Sequence, residues 1–145
     1  MIKLISIDPG KCKCGLVLVD LHKKNVDQAI VLNTALLPNY VKNLNDSENI
    51  SKVIIGNGTT SKQNIEKLDF VRNDLIIVEE KNTTLRAKKR YFEIFPTKGL
   101  KSFLPKEIFI MNKNLDALSA LIILEDYCKH KFTLSENIDI KTWLK

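Results

Sequence analysis

The sequence predicts a single α/β domain built on a mixed five-stranded sheet, three antiparallel strands followed by two parallel ones, flanked by helices. Three observations carry that expectation. Two apolar, β-branched runs, Ile2 to Ile7 and Leu16 to Val19, face each other across a Gly-containing turn. Two later runs, Val53 to Ile55 and Leu75 to Val78, are continuously apolar, as central strands covered on both faces are. Between them, Ser61 to Val71 sets Ile65, Leu68 and Phe70 or Val71 at roughly helical spacing, and a parallel strand pair requires such a crossover.

Taken in order, the first run ends at Asp8-Pro9-Gly10, and Gly10, Lys11, Lys13 and Gly15 make a basic turn into the second strand. A third strand is expected near Ala29 to Asn33, after the polar stretch that follows Asp20. Leu36 to Leu44 is a weaker helix, in which Pro38 is tolerable only in the first turn. Thr83 to Phe95 reads as a helix carrying Arg86, Lys89 and Arg90 along one side at i, i+3 and i+4, a clustered basic face. Pro96 to Asn112 reads as a long ordered loop bearing Lys98, Lys101 and Lys106, and loops of that length are uncommon unless functional. Leu115 to Tyr127 is the clearest helix, with Leu118, Leu121, Ile122 and Leu124 on its apolar side and Lys129 and His130 near its C-terminal end. Residues 1–130 would form the domain. Residues 131–145 would be a C-terminal tail packed on it or extending from it, with Trp143 docked on the body.

Length and composition bound the function. A chain of 145 residues with 44% hydrophobic and 28% charged residues encloses one substantial core and excludes a disordered or collagen-like protein. The formal charge of +6 attracts a polyanion only if the excess is clustered. Cys12, Cys14 and Cys128 form no disulfide framework. Cys12-x-Cys14 with His22 and His130 lacks the second closely spaced pair of a zinc site, so the thiols read as structural. No run is long enough to cross a bilayer, and the start lacks the pattern of a signal peptide. The expectation is a cytoplasmic protein with no membrane partner; the sequence does not indicate an oligomeric state.

Three carboxylates fall where a folded sheet would gather them: Asp8 ends the first strand, Glu80 ends a central one, and Asp116 opens the last helix. Ligands collect outside strand ends, and neighbouring carboxylates there can share divalent cations. Singly, each has a structural reading, Asp116 as a helix-start residue and Asp8 as a turn former before Pro9. Their surroundings shift the balance. Asp8-Pro9-Gly10-Lys11-x-Lys13-x-Gly15 resembles the opening of the YqgF and RuvC branches of the RNase H-like superfamily. Val78-Glu79-Glu80-Lys81-Asn82-Thr83-Thr84 is similar to the YqgF-type segment in which a strand-ending acid precedes a Thr pair and a helix. Asn114-Leu115-Asp116-Ala117-Leu118-Ser119-Ala120, followed by Leu124-Glu125, resembles the final helix of that family, and Ile54 to Lys62 resembles the Gly-rich turn of its cyanobacterial-type subgroup. Three residues depart from the pattern: Lys81 replaces an Arg, Glu79 a frequent Asp, and Lys113 stands where RuvC-type resolvases carry another acid.

The resemblance implies an RNase H-like fold and a metal-dependent endonuclease. Asp8, Glu80 and Asp116 would be both the catalytic and the metal-binding residues, with Asp8 bridging. Two Mg²⁺ or Mn²⁺ ions about 4 Å apart would activate water and stabilise the leaving oxygen. Lys11, Lys13, Arg86, Lys89 and Arg90 would contact backbone phosphates, which positions a strand without reading its sequence, and Lys98, Lys101 and Lys106 would guide it. The substrate implied is the 5′ end of precursor 16S rRNA, with a ribosome precursor as partner, because Lys113 departs from the resolvase pattern. The alternatives are a Holliday junction resolvase-like nuclease acting on branched DNA and an RNA- or ribosome-binding protein without turnover. Gly56 to Lys62 lacks the Walker A pattern, and an actin-like ATPase would need a second lobe for which this chain has no room.

Overall fold

The chain opens with an antiparallel meander, from Lys3 to Asn33. β1 (Lys3–Asp8) pairs with β2 (Lys13–Asp20) from Lys3↔Asp20 to Asp8↔Gly15, and β2 pairs with β3 (Asn25–Asn33) from Lys13↔Asn33 to Asp20↔Asn25. The computed structural model describes residues 2–58, 61–79, 82–95, 115–136 and 138, the side chains at 72 and 73 excepted. A 3-10 turn (Thr34–Leu36) leads into α1 (Leu37–Ser47), which takes Pro38 in its first turn, where a missing N–H costs nothing. β4 (Ile50–Gly56) then runs parallel to β1, and β5 (Leu75–Val78) parallel to β4.

The crossover between those two strands is shorter as an α-helix than its apolar spacing suggests. α2 (Ser61–Lys67) gives way to a 3-10 turn (Asp69–Asp74), yet Leu68 and Val71 are buried, and Phe70, the other candidate for the apolar side, is exposed. The spacing reflects which side faces the core, and both helix types satisfy it. α3 (Thr83–Ile94) and α4 (Asp116–Cys128) lie within a residue of their expected bounds.

The sheet order is β5-β4-β1-β2-β3-β6, so two expectations change. A sixth strand exists, β6 (Thr133–Leu134), parallel to β3 through Asn25↔Thr133 and Val26↔Leu134. Two residues show no alternation, which hides such a strand from periodicity. β5, expected to be central, is an edge strand, and Ile77 is 51% exposed. A four-residue apolar run is compatible with either position.

Alternation along β1 and β2 splits the core into two layers. Leu4, Val17 and Val19 face α4, packing with Leu118, Leu121 and Phe132. Ile5, Ile7, Leu16 and Leu18 face α1 and the crossover, packing with Leu37, Val41, Leu44 and Leu68. The periodicity of α4 predicts one buried side, but every residue from Ala117 to Glu125 is buried. Ala117, Ser119 and Ala120 are small enough to bring the helix backbone close to the sheet, where the Ser6 hydroxyl donates to the Ala120 carbonyl at 2.7 Å. Among the described residues no helix is long and apolar enough to cross a membrane.

Candidate active site

Asp8 is the last residue of β1 and stands opposite Gly15 on β2. A Cβ placed on Gly15 would lie 1.9 Å from the Asp116 carbonyl oxygen, so the first turn of α4 rests on bare backbone at that glycine. Two of the three expected carboxylate residues, far apart in the chain, therefore meet across one residue. Both are half-buried. The neighbouring Cys14 thiol registers the two charges. Burial chiefly pushes it up to about 12, a hydrogen bond with Thr34 opposes this, and the negative charges of Asp116 and Asp8 add to the rise.

The same edge of the sheet gathers the carboxyl ends of β1, β4 and β5, because the three strands are parallel. The Asn57 N–H donates to the Val78 carbonyl at 2.7 Å, joining the turn after β4 to the end of β5. Gly58 lies against Pro9, its added Cβ 3.9 Å from the proline Cγ. β5 ends at Val78, two residues before Glu80 in the sequence rather than at it, and Glu80 itself is outside the described residues. Among the described residues no three His, Cys, Asp or Glu side chains form a metal-binding group. Asp8 and Asp116 are nonetheless hard oxygen donors of the kind that Mg²⁺ or Mn²⁺ takes, and the glycine between them removes the side chain that would keep them apart.

Lys11 and Lys13 are exposed on the turn beside Asp8. Thr34 pins that turn: its hydroxyl donates to the Gly10 carbonyl and its N–H to the Cys12 carbonyl, both at 2.9 Å. Local sequence patterns do not single out Thr34, and they present Gly15 only as part of a motif. The interaction each makes is long-range, and no neighbouring residue encodes it.

The basic face expected on α3 divides by environment. Arg90 is taken up in a buried pair, donating from Nε and Nη2 to the two Glu125 carboxylate oxygens at 2.9 Å each, and from Nη2 to the Phe132 carbonyl at 2.8 Å. Glu125 also accepts from the Phe132 N–H at 2.8 Å. Arg86 forms a two-pronged pair with Asp126, and that hydrogen bonding raises its pKa further. Lys89 alone of the three is exposed without an ion pair among the described residues. Helical spacing identifies the shared side correctly but carries no information about acids arriving from α4. Lys98, Lys101, Lys106 and Trp143 lie outside the described residues.

The mixed sheet of antiparallel then parallel strands, flanked by helices, is an α/β fold, RNase H-like by its similarity to a solved structure. In solved structures the chain is similar to T. thermophilus RuvC in complex with a Holliday junction substrate, at 12% identity and a TM-score of 0.52, over 89% of this chain and 96% of that one. A weaker likeness, at 12% identity and a TM-score of 0.39, is to the type II variant of the Aquifex aeolicus Ppx/GppA phosphatase, over 68% of this chain and 43% of that one. No protein-family profile and no curated protein sequence matches the chain.

Proposed function

We propose that the protein is a metal-dependent endonuclease that hydrolyses phosphodiester bonds, with Asp8, Glu80 and Asp116 as its metal-binding and catalytic carboxylates. The observation that carries this reading is the meeting of Asp8 and Asp116 across Gly15 at the carboxyl edge of the sheet. A divalent cation held there, Mg²⁺ or Mn²⁺, would polarise a phosphodiester and lower the pKa of water. The protein's own part is to fix the two carboxylates on rigid elements, one on a central strand and one on a buried helix, and to place Lys11 and Lys13 where a strand entering the site leaves its phosphates.

Two substrates follow from different observations. Maturation of the 5′ end of precursor 16S rRNA, within a ribosome precursor, rests on the YqgF-type motifs and on Lys113. Branched DNA rests on the fold, since one solved structure of similar fold is T. thermophilus RuvC in complex with a Holliday junction substrate. A cleavage assay with Mg²⁺ or Mn²⁺ on precursor rRNA, linear single strands and a four-way DNA junction decides between them. Asp8→Asn and Asp116→Asn should each lower turnover by more than the roughly 10–100-fold typical of losing an outer-shell partner, while leaving the protein folded. Near-normal turnover by purified Asp8→Asn protein would sink the assignment.

A further inference from the structure

α3 and the C-terminal half of α4 enclose a cavity of about 380 Å³, lined by five Lys and Arg side chains against three carboxylates. All three carboxylates are committed. Asp126 is held by Arg86, Glu125 by Arg90, and Glu93 by Lys131 at 3.0 Å and Arg90 at 3.2 Å. The Lys131 ammonium above all holds the Glu93 carboxyl below its ordinary range, as an occupied acid should be. The surplus falls on Lys89 and Lys129, which are exposed and make no ion pair among the described residues, with His130 beside them.

Lys129 also occupies its place at a cost. It caps α4 in the left-handed conformation, with φ of 53°, where glycine is the unstrained choice. The helix end itself does not repel an anion strongly, because the Glu125 carbonyl already accepts from the Lys129 and His130 N–H groups. Asp116 and Asp126 lie on the same helix, roughly 15 Å apart along its axis at about 1.5 Å per residue. A duplex places a phosphate on each strand about every 3.4 Å of axis, so a nucleic acid seated at Asp116 reaches the cavity within a few nucleotides.

We propose that this cavity is a second phosphate-binding subsite for the backbone of the nucleic acid held at the carboxylate site, with Lys89 and Lys129 as the cations that meet it. The subsite rests on the nuclease reading for its ligand but not for its test. Binding of a fluorescent single-stranded RNA and of a four-way DNA junction is measured against salt concentration in an Asp8→Asn background, so that nothing is cleaved. Lys89→Gln is added on the exposed face of α3, and Lys129→Gly at the cap, where glycine relieves strain, so loss of the fold does not confound the result. Each phosphate left without its lysine should flatten the log-log salt slope by roughly 0.7 for the single strand and 0.9 for the duplex arms. A control pair, Lys42→Gln with Lys52→Gln, exposed on α1 and β4, should leave the slope unchanged. A flattened slope with cleavage by the wild type supports both readings. A flattened slope without cleavage keeps the subsite and overturns the nuclease. An unchanged slope overturns the subsite alone, and absence of binding by every variant overturns both.

Discussion

A methyl group at position 15 has nowhere to go. Gly15→Ala would press a Cβ into the Asp116 backbone, which cannot swing aside as a side chain can, so the first turn of α4 must lift. Overpacking of this kind costs about 1–3 kcal/mol. The expected outcome is a lowered Tm and, if the proposed nuclease site is right, a loss of metal-dependent cleavage larger than the loss of folded protein, read from activity normalised to the folded fraction. Proportional losses would make Gly15 a packing residue only. At the opposite end of the sheet, Asp20 is fully buried and held below the usual carboxylate range, first by the Lys23 N–H and then, against burial, by that of His22. A depressed carboxyl stabilises the fold in full above its unfolded value of about 3.9, and the contribution disappears as pH falls through the lower folded value. The Tm deficit of Asp20→Asn should therefore be largest near neutrality and shrink below about pH 4; a deficit constant from pH 7 to 3 would contradict the electrostatic origin. That Asp8 ends a strand and Asp116 opens a helix was legible from the residues around each. The roles of Gly15, Thr34 and Glu125 were not, since each is defined by a partner distant in the chain.

Elements repeat the contrast between local and distant information. The bounds of α3 and α4 and the first hairpin follow from periodicity and turn residues. The edge position of β5, the existence of β6 and the all-round burial of α4 depend on what packs against them. Two ion pairs join α3 to α4, and their surroundings set their weight. Arg90 and Glu125 are only 11% and 9% exposed in their side chains, whereas Arg86 and Asp126 are 40% and 50% exposed. Removing one partner of a buried pair typically costs about 3–5 kcal/mol, because the other charge is left without compensation. An exposed pair contributes roughly 0–1 kcal/mol. Chemical denaturation should thus show Glu125→Gln far less stable than Asp126→Asn. Equal effects would mean that water reaches Arg90 as readily as Arg86.

The whole molecule is a basic chain with carboxylate residues gathered at one edge of its sheet, and the formal charge of +6 predicts no more than an appetite for polyanions. The structure distributes that excess unevenly: part of it is cancelled inside the α3–α4 interface, and part is left on the turn at Lys11 and Lys13 and around Lys89 and Lys129. The fold class was legible because strand order along the chain nearly fixes an α/β topology. The number of strands was not.

The pairing of β3 with β6 links residues 108 positions apart, as Asn25 and Thr133 are, and it sets a schedule. As the chain leaves the ribosome, the meander can form early, but the α4-facing side of β1 and β2, with Leu4, Val17 and Val19, stays bare until α4 and Phe132 have been synthesised. A chain that stops before α4 would thus leave one face of its sheet without a cover, and bare apolar surface of that kind is prone to aggregate.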